Sequence, residues 1–233
     1  MRIEQKVGAT TVALEFERDY DDVRSGDSYQ TIDTLIKSLG HEDTFIDCGA
    51  HIGFISVPVA AVAKPKLVVA FEPVPRFRKM LEQNLKENVQ SPYVIESRPL
   101  WSADGEEIDF YESNAQSSFI NRGQGIENTL KLKTITIDTI VKELSITGPI
   151  VMKIDVELAE PQLLTGAVKS MPQIKLMIIE MLPNVMKWDQ HFDLPLYFQQ
   201  FYDWGFTVTD IYGQRLDAKN AERRSKVDIL VKR

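Results

Sequence analysis

The segment Thr44-Phe45-Ile46-Asp47, running directly into Cys48-Gly49-Ala50-His51-Ile52-Gly53, constrains this chain more than any other feature. Its first residues are β-branched or aromatic and read as a short buried strand, and two glycines open a tight turn behind it. The apolar stretch from Phe54 to Ala63 then continues as a helix. A strand that ends on an acid, turns through glycine and enters an apolar helix is the opening unit of an open α/β sheet. In such sheets ligands bind outside the carboxyl ends of the strands.

The rest of the chain repeats the unit. Leu67 to Phe71 is a continuous apolar run, as a strand covered on both faces requires, and Pro75 to Asn88 reads as the helix after it. Tyr93 to Glu96 is a third, weaker strand, Ile150 to Asp155 a fourth and Leu176 to Glu180 a fifth. Helices are expected from a cap at Ser28 to a stop at Gly40, from a cap at Asp138 to Leu144, from about Pro161, and over Leu194 to Trp204. Ile108 to Tyr111 and Leu130 to Ile137 read as strands around a polar loop with Ser117 and Ser118. Thr207 to Ile211 and Val227 to Val231 predict an antiparallel pair at the sheet edge.

Arg2 to Arg18 reads as two short strands about Gly8-Ala9. The expected fold is therefore a three-layer Rossmann-like α/β sheet, mostly parallel with an antiparallel edge strand, plus an N-terminal β-hairpin. Residues 1–20 would hold the hairpin and 28–233 the core of one domain, since no repeat or long Gly/Ser linker divides the chain.

At 233 residues, 43% hydrophobic and 26% charged, the chain has the length and composition to bury a full core. No apolar run approaches the roughly 20 residues of a membrane span. The first residues carry charge and no apolar signal segment, and Cys48 is the only cysteine, so a reducing, cytoplasmic setting is expected. A net charge of -7 weighs against a nucleic-acid partner. The basic run Arg223-Arg224-Ser225-Lys226 is expected to be a solvated turn.

Asp47, Glu72, Asp155 and Glu180 close successive predicted strands and so share one rim. Between Gly49 and Gly53 the helix start offers backbone N–H groups to a carboxylate or a phosphate. Either the methionine carboxylate of S-adenosylmethionine or a dinucleotide pyrophosphate answers that description. A dinucleotide fingerprint needs Gly-x-Gly-x-x-Gly, and His51 and Phe54 stand where two of its glycines belong. Asp47 also suits a cationic amino group better than a pyrophosphate. Glu72 can accept hydrogen bonds from both hydroxyls of a ribose, cap the next helix, or do both.

Leu100 and Trp101 follow the third strand, where they form either a wall for an adenine or ordinary core, with Ser102 and Asp104 near its amino group. Asp155, Glu157 and Glu180 are the candidate base or substrate-orienting groups. Lys153 shares a strand face with Asp155 and reads as a salt-bridge partner. His51 is a candidate base or a loop histidine satisfied by backbone. Trp188, His191, Phe192 and Tyr197 read as a lid or as packing. Cys48, beside Asp47, is expected to have a raised thiol pKa and no nucleophilic role. No His/Cys group has zinc spacing, and no metal site is expected.

Taken in order, Asp47-Cys-Gly-Ala-His-Ile-Gly53, Phe71-Glu72-Pro73, Asn84 with Asn88, Lys153-Ile-Asp-Val-Glu157 and Ile179-Glu180 resemble the FkbM-like methyltransferases over about Asp43 to Glu180. The resemblance implies a class I methyltransferase fold, S-adenosyl-L-methionine as donor and usually a hydroxyl acceptor. It implies that Asp47, Gly49 and Gly53 hold the methionine end of the donor, with Glu72 at the ribose and Asp155 facing the methyl; Ala50 and His51, in the same loop, are expected beside them. The chain departs from the family at His51, where asparagine is usual, and at Leu158, where glycine is usual. Leu158 is expected to reshape the acceptor site or to remove a backbone conformation open to glycine. The expected activity is methylation of a hydroxyl on a small molecule, sugar or glycan, with no membrane span and nucleic acid disfavoured. The alternatives are an NAD(P)-dependent oxidoreductase and a non-catalytic binding module on the same fold.

Overall fold

The chain opens with an antiparallel hairpin, β1 (Arg2–Val7) and β2 (Thr10–Glu15), followed by helix α1 (Gly26–Ser38). These come from a computed structural model that describes residues 2–15, 26–113, 117–119, 126–186 and 192–233. The expected hairpin residues beyond 15, and Trp188 and His191, lie outside that set.

Next come β3 (Thr44–Cys48), α2 (Ser56–Ala63), β4 (Leu67–Phe71), α3 (Pro75–Asn88) and β5 (Tyr93–Glu96). A separate two-stranded ribbon follows, β6 (Glu107–Ser113) against β7 (Ile126–Lys133), and then α4 (Ile137–Glu143). The chain returns to the sheet through β8 (Ile150–Ile154), α5 (Glu160–Thr165) and β9 (Ile174–Met181). It ends with α6 (Pro183–Met186), α7 (Leu194–Asp203), β10 (Thr207–Asp210), α8 (Ala218–Ala221) and β11 (Val227–Lys232).

Successive residues of the central strands feed opposite cores, as a period of two demands. Phe45, Val68, Val151 and Ile178 pack with β2, α1, α2 and α3, whereas Ile46, Val69, Met152 and Ile179 pack with α4, α5 and α7. That is why β3 and β8 are buried at every position and read as unbroken apolar runs.

The main sheet has the order β10-β11-β9-β8-β3-β4-β5. Strands β9, β8, β3, β4 and β5 pair in parallel. The expected antiparallel pair does lie at the sheet edge. The reversed strand is β11, which pairs antiparallel with both β9 and β10, so β10 occupies the edge. From β3 the chain moves outward to β4 and β5 and then returns to β8 on the other side. This switch point opens a crevice above β3 and β8.

Two helix starts differ from expectation. Helix α1 begins at Gly26, so Ser28 lies in its first turn instead of capping it. Helix α4 is capped by Thr136, whose extended backbone (φ -98°, ψ 155°) lets its side chain accept the Thr139 N–H. Asp138 is already helical, and its carboxylate accepts instead from the backbone N–H groups of Lys169 and Ser170. The strand expected to reach Ile137 ends at Lys133 for the same reason, because Thr136 must turn the chain into the helix.

Asn84 and Asn88 fasten the hairpin to α3. The Asn84 amide accepts from the Glu15 N–H at 2.8 Å and donates to the Glu15 carbonyl at 3.0 Å. Asn88 repeats the pair on Ala13, at 3.1 and 2.8 Å. Four helix residues rise about 6 Å and two strand residues about 6.7 Å, so the two amides match alternate positions of β2. They occupy backbone groups that an edge strand otherwise exposes. Asn84 also donates to the carbonyl of Ile52 at 2.8 Å, which ties the hairpin to the glycine turn.

Candidate functional site

A cavity of about 450 Å³ lies over the carboxyl ends of β3, β4, β8 and β9, within the usual size of a small-ligand site. Gly49 sets its geometry. At φ +87° it adopts a conformation that suits glycine, and a Cβ there would lie 1.9 Å from the Asp155 carbonyl oxygen. The Asp155 N–H in turn donates to the Cys48 carbonyl at 3.0 Å, so the turns after β3 and β8 lie directly against each other. Gly53, at φ +90°, lets the loop pass Val57 and Leu81 and does not line the cavity. The N–H groups of Gly49 and Ala50 donate to the Phe71 carbonyl at 3.2 and 2.8 Å and are therefore spent within the fold.

Asp47 is fully buried. One of its oxygens accepts from the Ser56 hydroxyl, and the other, Oδ1, has no hydrogen-bond donor among the described residues. Burial raises the carboxyl's pKa against the pull of Lys153, whose ammonium stands 3.8 Å from Oδ1. That ammonium also donates to Asp155 at 3.0 Å and to the Gly49 carbonyl at 3.3 Å. Burial works to lower Lys153, but Asp155 and Asp47 outweigh it and hold the lysine charged. The salt bridge read from the sequence is present.

Glu72 does what a cap does and still borders the cavity. It accepts the Val74 N–H at 2.8 Å, at the start of α3, and the His51 N–H at 2.9 Å. Burial pushes its carboxyl up to about 7 against those two bonds. His51, at φ +54°, packs its ring 4.0 Å from that of Phe77. Burial, followed by the nearby Lys153 charge, lowers its imidazole to about 4. A base so weak has little use near neutral pH.

On the β5 side Trp101 lines the cavity, edge-on to Phe119 at 4.7 Å. Ser102 is not part of the lining, and Asp104 is committed to α4, accepting from the Thr136 N–H and the Thr139 hydroxyl. Ser118, beyond β6, donates to the Glu157 carbonyl at 2.8 Å, which lays the ribbon against the turn after β8.

That turn carries two consecutive non-glycine residues in left-handed conformation, Glu157 at φ +54° and Leu158 at φ +80°. Leu158 thus adopts a conformation that favours glycine, and its side chain packs against the core on the side of α4, α5 and α7. The buried Glu160 carboxyl holds the turn by accepting from Val156 and Leu158 at 3.2 and 3.3 Å. Its pKa is raised by burial to about 8. Phe192 and Tyr197 pack against each other at 5.4 Å with tilted rings, and neither lines the cavity. Cys48 is buried, and burial together with Asp47 raises its thiol well above the ordinary value.

The wall formed by β9 and β11 holds residues that sequence reasoning missed. Glu180 pairs with Lys226 at 2.6 Å, and Thr31 donates to Asp228 at 2.9 Å. All four line the cavity. Arg223 to Lys226 form the expected exposed turn before β11, from which Lys226 reaches the cavity wall, and Arg224 is paired with Asp210 at 3.1 Å. Burial, then the charge of Asp155, raises Glu180 to about 7. Among the described residues no cluster of His, Cys, Asp and Glu has the arrangement of a metal site. No helix among them is long and apolar enough to cross a membrane.

The fold has solved counterparts. A protein of Streptococcus mutans described as a SAM-dependent methyltransferase superimposes with a TM-score of 0.52 at 9% identity, over 100% of this chain and 55% of that one. Precorrin-6y C5,15-methyltransferase from Geobacter metallireducens gives 0.51 at 10% identity, over 94% of both chains. A Clostridium thermocellum protein described as an rRNA methylase gives 0.50 at 10%, over 87% and 93%. At such identities the likeness is one of fold. No curated protein matches the sequence. The model of the methyltransferase FkbM domain matches residues 47–208, from the acid of the glycine turn into β10. The chain belongs to the FkbM methyltransferase family.

Proposed function

We propose that this chain transfers a methyl group from S-adenosyl-L-methionine to a hydroxyl oxygen of an uncharged small molecule, sugar or glycan. The observation that carries this reading is the charge of the cavity at the switch point. Asp47, Glu72, Asp155, Glu157, Glu180 and Asp228 line it against Lys153 and Lys226 only. Six carboxylates and two ammonium groups favour a cationic donor and disfavour phosphate, whether of a dinucleotide or of RNA. Membership of a methyltransferase family removes the reason to prefer an oxidoreductase.

The donor suits these residues. Each Glu72 oxygen accepts one N–H and retains a lone pair for a ribose hydroxyl. Trp101 and Phe119 offer an aromatic edge to an adenine. The unfilled Asp47 Oδ1 can accept from an ammonium or from a water that it holds. Gly49, Ala50 and His51 shape the floor between them, and Gly53 acts at one remove by letting the loop pack.

When bound, the donor supplies a methyl group already activated by its sulfonium charge. What is left for the chain is to orient the acceptor hydroxyl, exclude water and take up its proton. Asp155, fixed by Lys153, orients. Glu180 takes the proton, since a carboxyl near 7 is a better base than one at its ordinary 4.5. Glu157 contributes charge beside them.

Calorimetry with S-adenosylhomocysteine and with NAD tests the donor half: binding of the first and not the second is expected, and the reverse result sinks the reading. Glu180→Gln should lower kcat about 100-fold or more with unchanged S-adenosylhomocysteine affinity. Full turnover in that variant would remove Glu180 as the base.

A further inference from the structure

We propose that Thr31, Lys226 and Asp228 form an acceptor subsite that takes a vicinal diol of a neutral polyhydroxyl molecule, such as a sugar ring. The inference rests on the donor reading above and adds the residues and chemistry of the second substrate.

Strand register puts the parts together. Asp228 on β11 lies directly opposite Glu180 on β9, so their side chains leave the same face of the sheet. Lys226, in the turn just before β11, reaches the same wall through its pair with Glu180. Thr31 reaches the same wall from α1, across 197 positions of sequence. None of the three is needed to hold the sheet, which is already paired through the backbone of β9, β10 and β11.

Their hydrogen bonding leaves one opening. Lys226 donates to Glu180, and Thr31 donates to Oδ2 of Asp228. The other Asp228 oxygen, Oδ1, is buried and has no donor among the described residues. A buried carboxylate oxygen without a donor is costly, so a ligand that brings an O–H to this wall gains the bond that the chain leaves unmade.

Charge decides which ligand. An anionic acceptor would meet the carboxylates that dominate the lining, and an amine cation can donate to Asp228 but has no lone pair to accept from the Lys226 ammonium. A hydroxyl both donates and accepts, so it can serve Asp228 and Lys226 together. With one hydroxyl held there, a neighbouring one remains for Glu180 and Asp155.

The test uses the full chain loaded with S-adenosylhomocysteine. Absence of S-adenosylhomocysteine binding would defeat the donor reading itself, and is scored first. Given that binding, saturation-transfer NMR is run against methyl glycosides of common neutral sugars, sugar phosphates and amino sugars. Neutral glycosides are expected to respond, and Asp228→Asn and Thr31→Val should each weaken them about tenfold with S-adenosylhomocysteine affinity kept within about twofold. Thr31→Val carries the test alone if Asp228→Asn does not fold. Binding confined to phosphates or amines, no response from any neutral glycoside, or unchanged glycoside affinity in the variants would overturn the proposal.

Discussion

Adenosine should bind this protein about tenfold more tightly at pH 8 than at pH 6, and Glu72 should be the cause. In the free protein burial outweighs two backbone N–H donors and places the Glu72 carboxyl at about 7. Ribose hydroxyls donate, so they bind the ionised form and draw the pKa back toward 4.5. A carboxyl of pKa about 7 is ionised in about 9% of molecules at pH 6 and about 91% at pH 8, a tenfold ratio worth about 1.4 kcal/mol. Affinity therefore rises with pH through 7 and then levels off. Adenosine is the right probe because it lacks the methionine amino and carboxylate groups, so Asp47 and Lys153 stay out of the comparison. Titration calorimetry in two buffers of different ionisation enthalpy should also count about half a proton released per adenosine at pH 7. A dissociation constant that stays flat from pH 6 to 8 would refute the reasoning, as would Glu72→Gln with an undiminished slope.

The remaining predictions concern the two touching turns. Gly49→Ala sets a methyl group against the Asp155 carbonyl at a positive φ, and should cost about 3 kcal/mol or more in urea unfolding; a loss below about 1 kcal/mol would mean that the turns can separate freely. Glu160 has a folded pKa raised to about 8, so the folded state holds its proton and loses stability as pH rises from about 4.5 to 8. Glu160→Gln should flatten that part of the pH–stability profile. Glu160→Ala should flatten it equally but, by stripping Val156 and Leu158 of their acceptor, should lie about 2 kcal/mol below Glu160→Gln at every pH. Equal profiles for the two variants would argue against the carboxyl as the brace of that turn.

The parallel strands and the rim acids were legible because each is written locally. An apolar run closed by an acid and followed by glycine or proline needs no distant partner to be read, and β4, β5 and α3 begin or end where that rule puts them. The far wall is written differently. Asp228 is significant only once β11 is slotted between β9 and β10, a register that no local pattern declares. Lys226 does belong to a basic surface turn, but its pairing with the cavity wall stays hidden because its partner Glu180 belongs to another strand. Ser102 and Asp104 follow the third strand as expected, yet Ser102 does not line the cavity and the start of α4 claims the Asp104 carboxylate, a partner that lies more than thirty residues away. Leu158 shows a third case: no local pattern announces a leucine at φ +80°, a conformation held here by the Glu160 carboxyl from two positions on.

The amide of Asn84 gives the first fifteen residues a stake in the glycine turn. One Nδ2 group donates both to the Glu15 carbonyl on the hairpin and to the Ile52 carbonyl in the loop. The hairpin and the floor of the cavity thus share a single fastening, much as two panels share one hinge pin. A chain shortened to begin at residue 28 would keep every strand of the main sheet, yet the pin would then be held from one side only. Looseness from that change would surface some way from the cut, as a softer turn between Gly49 and Gly53. The hairpin is accessory to the sheet in topology, and a working part of the cavity in mechanics.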